Sequence, residues 1–156
     1  MKVCPELSQM FFLFLIFISL SRVQSTNISS PGCSERGVQI TSRQGRITSP
    51  NYPNFYPPNI RCIWNITVPA GYVVRLTIVL RVLSFNYYFC EGAGVYIQDG
   101  PSLSQSPVLL KACRSWTSTT LYSSSRHLLL TFKSDNAQSN GFLAHFIAHS
   151  DDQSKY

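Results

Sequence analysis

From Val73 to Val82 the chain alternates without interruption. Val74, Leu76, Ile78, Leu80 and Val82 take turns with Val73, Arg75, Thr77, Val79 and Arg81. A period of two places the first set on one face of an extended strand and the second on the other, whereas an amphipathic helix needs apolar residues every three or four positions. The first face is wholly aliphatic and is expected to be core. The same period recurs downstream. Leu128, Leu130 and Phe132 alternate with Leu129, Thr131 and Lys133, and Phe142, Ala144, Phe146 and Ala148 alternate with Leu143, His145, Ile147 and His149. Upstream, Cys62, Trp64, Ile66 and Val68 would share an inner face, leaving Ile63, Asn65 and Thr67 toward solvent. Val95 and Ile97 form a short run ending at Asp99-Gly100-Pro101, and Val108 to Ala112 follows a Ser-rich loop. Short β-like runs separated by Gly, Pro, Asn, Asp and Ser predict an all-β fold, a two-sheet antiparallel β-sandwich. Periodicity alone does not separate a sandwich from a barrel.

The first 25 residues have a different character. Lys2 precedes an almost unbroken apolar run from Met10 to Leu20, and Val23-Gln24-Ser25 supplies small or slim residues. This predicts a signal peptide over residues 1–25, because an 11-residue run is shorter than the roughly 20 residues a bilayer core requires. No later stretch predicts stable membrane insertion. Residues 26–32 read as a flexible lead, 33–149 as one domain and 150–156 as a polar tail. Cys4 leaves with the leader, and Cys33, Cys62, Cys90 and Cys113 remain. An even number in an oxidising compartment predicts two disulfides, for which four cysteines allow three pairings. A secreted, extracellular chain also gives meaning to the glycosylation sequons at Asn27 and Asn65.

Formal net charge is +6, and its distribution is uneven. Between Thr26 and Phe89, six arginines stand against Glu35 alone; from Cys90 onward five bases meet five acids. Arg61, Arg75 and Arg81 would make a patch for sulfated polysaccharide or an acidic protein if they face outward on neighbouring strands; otherwise they are dispersed, solubilising charge. The secretory route argues against nucleic acid as a partner. Catalytic constellations are poor. His145 and His149 would lie on one side of a strand, roughly 13 Å apart at strand rise, too far to share a metal. There is no Gly-x-Ser-x-Gly elbow and no paired acid and base, so no enzyme and no cofactor is expected.

Several separated motifs carry a family resemblance. Gly45-Arg46-Ile47 precedes the run Ser49-Pro50-Asn51-Tyr52-Pro53-Asn54-Phe55-Tyr56-Pro57-Pro58-Asn59-Ile60, which leads into Cys62-Ile63-Trp64 and then Val68-Pro69-Ala70-Gly71. Cys90 precedes Val95-Tyr96-Ile97-Gln98-Asp99-Gly100; Ser134-Asp135 follows an apolar strand; Gly141-Phe142-Leu143-Ala144 opens the last one. In this order the motifs resemble a CUB domain, from Cys33 to His149. The resemblance implies a jelly-roll-like sandwich, disulfides Cys33 to Cys62 and Cys90 to Cys113, and a non-catalytic role in extracellular binding. A spermadhesin-like, single-domain architecture would imply glycans, glycosaminoglycans or secreted proteins as partners. The alternative is a shortened product or relative of a multidomain secreted protease or receptor, in which the domain serves assembly. Neither implies an oligomeric state.

Calcium-binding members of that family use a Glu before the third cysteine, an Asp after it, the Asp of the Ser-Asp motif and a Tyr in the Pro-rich run. Tyr56 and Asp135 match; the other two positions fall on Phe85 and Ala93, with Glu91 close by. A hard cation depends on several oxygen ligands, so Tyr56 and Asp135 are expected to be remnants of a degenerate site, with no metal bound. Where that site would be acidic, Ser84-Phe85-Asn86-Tyr87-Tyr88-Phe89 is aromatic. Phe85, Tyr87 and Tyr88 are candidate partner-binding residues, since such rings bury large area at low entropic cost. The other reading is a plug, with Phe85 and Phe89 folded into the edge of the core.

Overall fold

The structure is a computed structural model that describes residues 31–81, 90, 93–114 and 118–150. Nine strands follow one another: β1 (Val38–Thr41), β2 (Gln44–Thr48), β3 (Arg61–Thr67), β4 (Tyr72–Leu80), β5 (Gly94–Gln98), β6 (Val108–Ala112), β7 (Thr119–Tyr122), β8 (His127–Lys133) and β9 (Phe142–Ser150). They form two sheets, ordered β1-β3-β8-β5-β6 and β2-β9-β4-β7. All pairings are antiparallel except β1 with β3, which run parallel with Val38 beside Trp64.

The core is where the alternation puts it. Val74, Leu76, Ile78 and Leu80 of β4 meet Phe142, Ala144 and Phe146 of β9 from one sheet; Cys62, Trp64, Ile66, Val95, Ile97, Leu128, Leu130 and Phe132 come from the other. Aromatic rings fill the centre edge to face. Trp64 lies 5.9 Å from Phe142, and Phe132 lies 5.0 Å from Tyr56, both within the favoured range for T-shaped pairs. Trp64 Nε1 donates to the Gly32 carbonyl at 3.0 Å, which satisfies the indole's one donor inside the core.

Two glycines in the family motifs are explained by close approach. A Cβ at Gly45 would overlap the Phe146 ring, which lies across β2 at its register partner. Gly141 has φ +72°, and a Cβ there would overlap Ser49 Oγ. That hydroxyl accepts from Phe142 N at 3.2 Å, while Ser49 N donates to the Phe142 carbonyl. The Ser-Pro run is thereby fastened to the start of β9.

One expected face differs. Ile63 is buried, only 5% exposed, although its alternation placed it toward solvent. The turn preceding β1 folds over it: Ile63 N donates to the Ser34 carbonyl, and Gly37 lies against the Ile63 side chain. Asn65, two residues on, is half-buried, with its Oδ1 buried and without a hydrogen-bond partner.

Candidate functional site

Cys33 pairs with Cys62 and Cys90 with Cys113, as the family resemblance implied. The first bridge fixes the segment before β1 to β3. The second ties Cys90, the only described residue between Arg81 and Ala93, to the end of β6. Tyr96 Oη adds a hydrogen bond to the Cys90 carbonyl at 2.9 Å. The stretch containing Phe85, Tyr87 and Tyr88 lies outside the described residues, as do Asn27, Glu91 and the leader.

Tyr56 and Asp135 are brought together at one end of the sandwich. Ser134, immediately after β8, holds that end closed. Its Oγ donates to the Pro57 carbonyl and accepts from Ile60 N, both at 2.9 Å, and its backbone N donates to the Ile60 carbonyl. Asn59 adopts a positive φ of 54° and donates its N–H to the Asp135 carbonyl at 3.0 Å. The Pro-rich run is thus locked to the Ser-Asp motif by four hydrogen bonds.

Tyr56 is fully buried in this arrangement. Burial, reinforced by the Asp135 carboxylate, pushes its phenol up to about 12 from the usual 10.0, because ionisation would create a second negative charge in an apolar surround. Asp135 is half-buried, and its Oδ1 accepts from Ala137 N at 2.9 Å. Ala93 is fully buried and presents a methyl group. The described donor set therefore contains one carboxylate, already engaged by a backbone N–H, and one neutral phenol. Calcium takes six to eight oxygens, more than these two side chains supply by themselves. Among the described residues no group of three or more His, Cys, Asp and Glu side chains could hold a metal.

The three arginines do not form one patch. Arg61 opens β3 in the five-stranded sheet, Arg75 lies on β4 in the other, and Arg81 follows β4 with its backbone N–H on the Gly141 carbonyl. The histidines are separated as well. His127 Nδ1 is 3.1 Å from Thr67 Oγ1, His149 packs its ring edge against Tyr122, and His145 is exposed.

A concave notch lies on the outer face of the five-stranded sheet. About 370 Å³ in volume, it is lined by Arg61, Tyr96, Gln98, Leu103, Val108, Thr131 and Lys133. The loop after β5 forms one wall, held because Gln98 Nε2 donates to the Leu103 and Ser106 carbonyls, each at 3.0 Å.

The comparisons with known proteins agree with this architecture. The family model for the CUB domain matches residues 33–146. Mouse Tolloid-like protein 1 is 35% identical over 120 residues, covering 76% of this chain and 12% of that protein, so the chain spans about an eighth of that relative's length. Among solved structures, the CUB1-EGF-CUB2 fragment of rat MASP-1 superposes with a TM-score of 0.65 at 29% identity, covering 77% of this chain and 45% of that one. The MASP-1 CUB2 domain bound to Ca2+ gives 0.57 at 26% identity, covering 69% of this chain and 95% of that one. With the strand order, the two disulfides and the glycine contacts of the motifs all in place, the chain belongs to the CUB domain family.

Proposed function

We propose that this chain is an extracellular, non-catalytic CUB module that recognises a protein partner without calcium, in the manner of a domain serving assembly. The observation that carries the reading is the loop end around Tyr56 and Asp135. Its hydrogen-bonded frame is kept, yet the described donor set has one carboxylate where a calcium-organised end needs several. A frame kept without its ion is a rigid platform, and a preorganised loop surface binds with less ordering cost. The likeness to CUB domains of Tolloid-like protein 1 and MASP-1 favours the assembly reading over the minimal spermadhesin-like one. Two disulfides and the apolar leader support an extracellular location, and the leader supports removal of residues 1–25. Glycosylation at Asn65, with Asn27 as the second sequon, belongs to the same reading. It would show as a mass decrease on enzymatic removal of N-glycans.

The test is cross-linking and pull-down of the secreted chain from extracellular fluid, once with calcium and once with a chelator. The same protein partner is expected in both. Capture that disappears with the chelator would overturn the calcium-independent reading, and absence of any protein partner would overturn the assembly reading.

A further inference from the structure

The notch on the five-stranded sheet brings like charges together, with no counter-ion among the described residues that line it. Arg61 and Lys133 are directly opposite each other across β3 and β8. Both are exposed, and an opposed pair of like charges on one sheet face is destabilising. Lys111, opposite Tyr96 on β6, stands beyond the lining residues as a third cation on the same face, its Nζ 5.7 Å from the centre of the Tyr96 ring. The carboxylates among the described residues are those of Glu35, Asp99 and Asp135, and none of them lines the notch.

Thr131 lies in the floor of the same cavity. It stands between Ile63 and Tyr96 in the sheet and is only 6% exposed. Its Oγ1 is buried without a hydrogen-bond partner, although a hydroxyl so placed ordinarily has one. The opposite rim is apolar. Leu103 is 43% exposed and Val108 58%, and Val108 begins β6, an edge strand of its sheet.

We propose that this notch is the docking site for an acidic segment of a partner protein, with two or more carboxylates flanked by apolar side chains. The carboxylates would sit on Arg61 and Lys133, with Lys111 beyond Tyr96 adding to the positive field, while an apolar neighbour packs on Leu103 and Val108. Charge complementarity selects the acidic residues, and the exposed Leu and Val rim selects a peptide over a sulfated sugar. The proposal rests on the protein-recognition reading above and names the chemistry of the partner.

Selection of linear peptides from a displayed random library against the immobilised, secreted chain tests it. Enriched peptides are expected to carry paired Asp or Glu beside Leu, Val or an aromatic residue. Against a synthetic copy of the enriched peptide, Lys111→Gln with Lys133→Gln should weaken binding by about tenfold or more, since charge-assisted hydrogen bonds are lost. Arg75→Gln with Arg81→Gln, off this face, should change nothing. Neutral or basic enriched peptides, equal loss in the Arg75 and Arg81 variant, or undiminished binding of a copy of the peptide with Asn and Gln in place of its Asp and Glu would each overturn the site. A protein partner still captured by the Lys111 and Lys133 variant would overturn this site alone and leave the proposed function standing.

Discussion

A buried phenol stays neutral only while ionisation costs more inside the fold than in water, and Tyr56 meets that condition twice. It is fully buried against Phe132, and Asp135 is close enough to oppose a second negative charge. With the folded value about 12 and the ordinary value 10.0, the sign of the pH dependence is fixed. Below pH 10 the group is protonated in both states, and its contribution to stability is complete. Between 10 and 12 the unfolded chain releases the proton first, so that contribution falls as pH rises and is gone above the folded value. Tyr56→Phe removes this titration. In urea denaturation the wild-type unfolding free energy should therefore fall more steeply than that of Tyr56→Phe between pH 10 and 12. Equal slopes would mean that the phenol ionises as readily in the fold as outside it.

Of the four hydrogen bonds that join the end of β8 to the Pro-rich run, a single hydroxyl makes two. Ser134→Ala would leave the Pro57 carbonyl and the Ile60 N–H without their partner at a largely buried position. Leaving buried groups unpaired costs about 1–3 kcal/mol, so the urea midpoint should fall at an unchanged slope. A midpoint within error of wild type would show that water replaces the hydroxyl there. The Ser-Asp motif was visible in the sequence as a family mark, but its mechanical role was not, because its partners lie 74 and 77 residues away.

The long strands β4, β8 and β9 were legible, since each has enough alternating positions to fix both period and inner face. The four-residue β1 and β7 offered too few, and the parallel pairing of β1 with β3 has no local signal. Alternation tells which face a residue takes and not which sheet its strand joins. Arg61 and Arg75 could therefore be read as neighbours although β3 and β4 belong to different sheets. For the same reason the notch was hidden. Arg61, Tyr96, Thr131 and Lys133 come from three strands, and only the register of the assembled sheet sets them side by side.

Across the whole domain, the remaining question is whether stability depends on an ion at the loop end. In a protein that binds calcium only when folded, ligand at 100 times its dissociation constant adds about 2.7 kcal/mol. For a domain of this size that is a rise on the order of 10 °C in melting temperature. Here the end is closed by the Ser134, Asn59 and Asp135 hydrogen bonds, and Tyr56 fills the space beneath as a neutral, buried ring. These interactions supply without an ion the cross-links between the Pro-rich run and the end of β8 that a multi-carboxylate site would otherwise provide. Thermal unfolding in millimolar calcium and in chelator should therefore coincide, and calorimetric titration with calcium should give no saturable heat. A calcium-dependent rise of several degrees would require carboxylates from outside the described residues, with Glu91 first among them. In that event Glu91→Gln would abolish the rise while leaving the chelated melting curve unchanged.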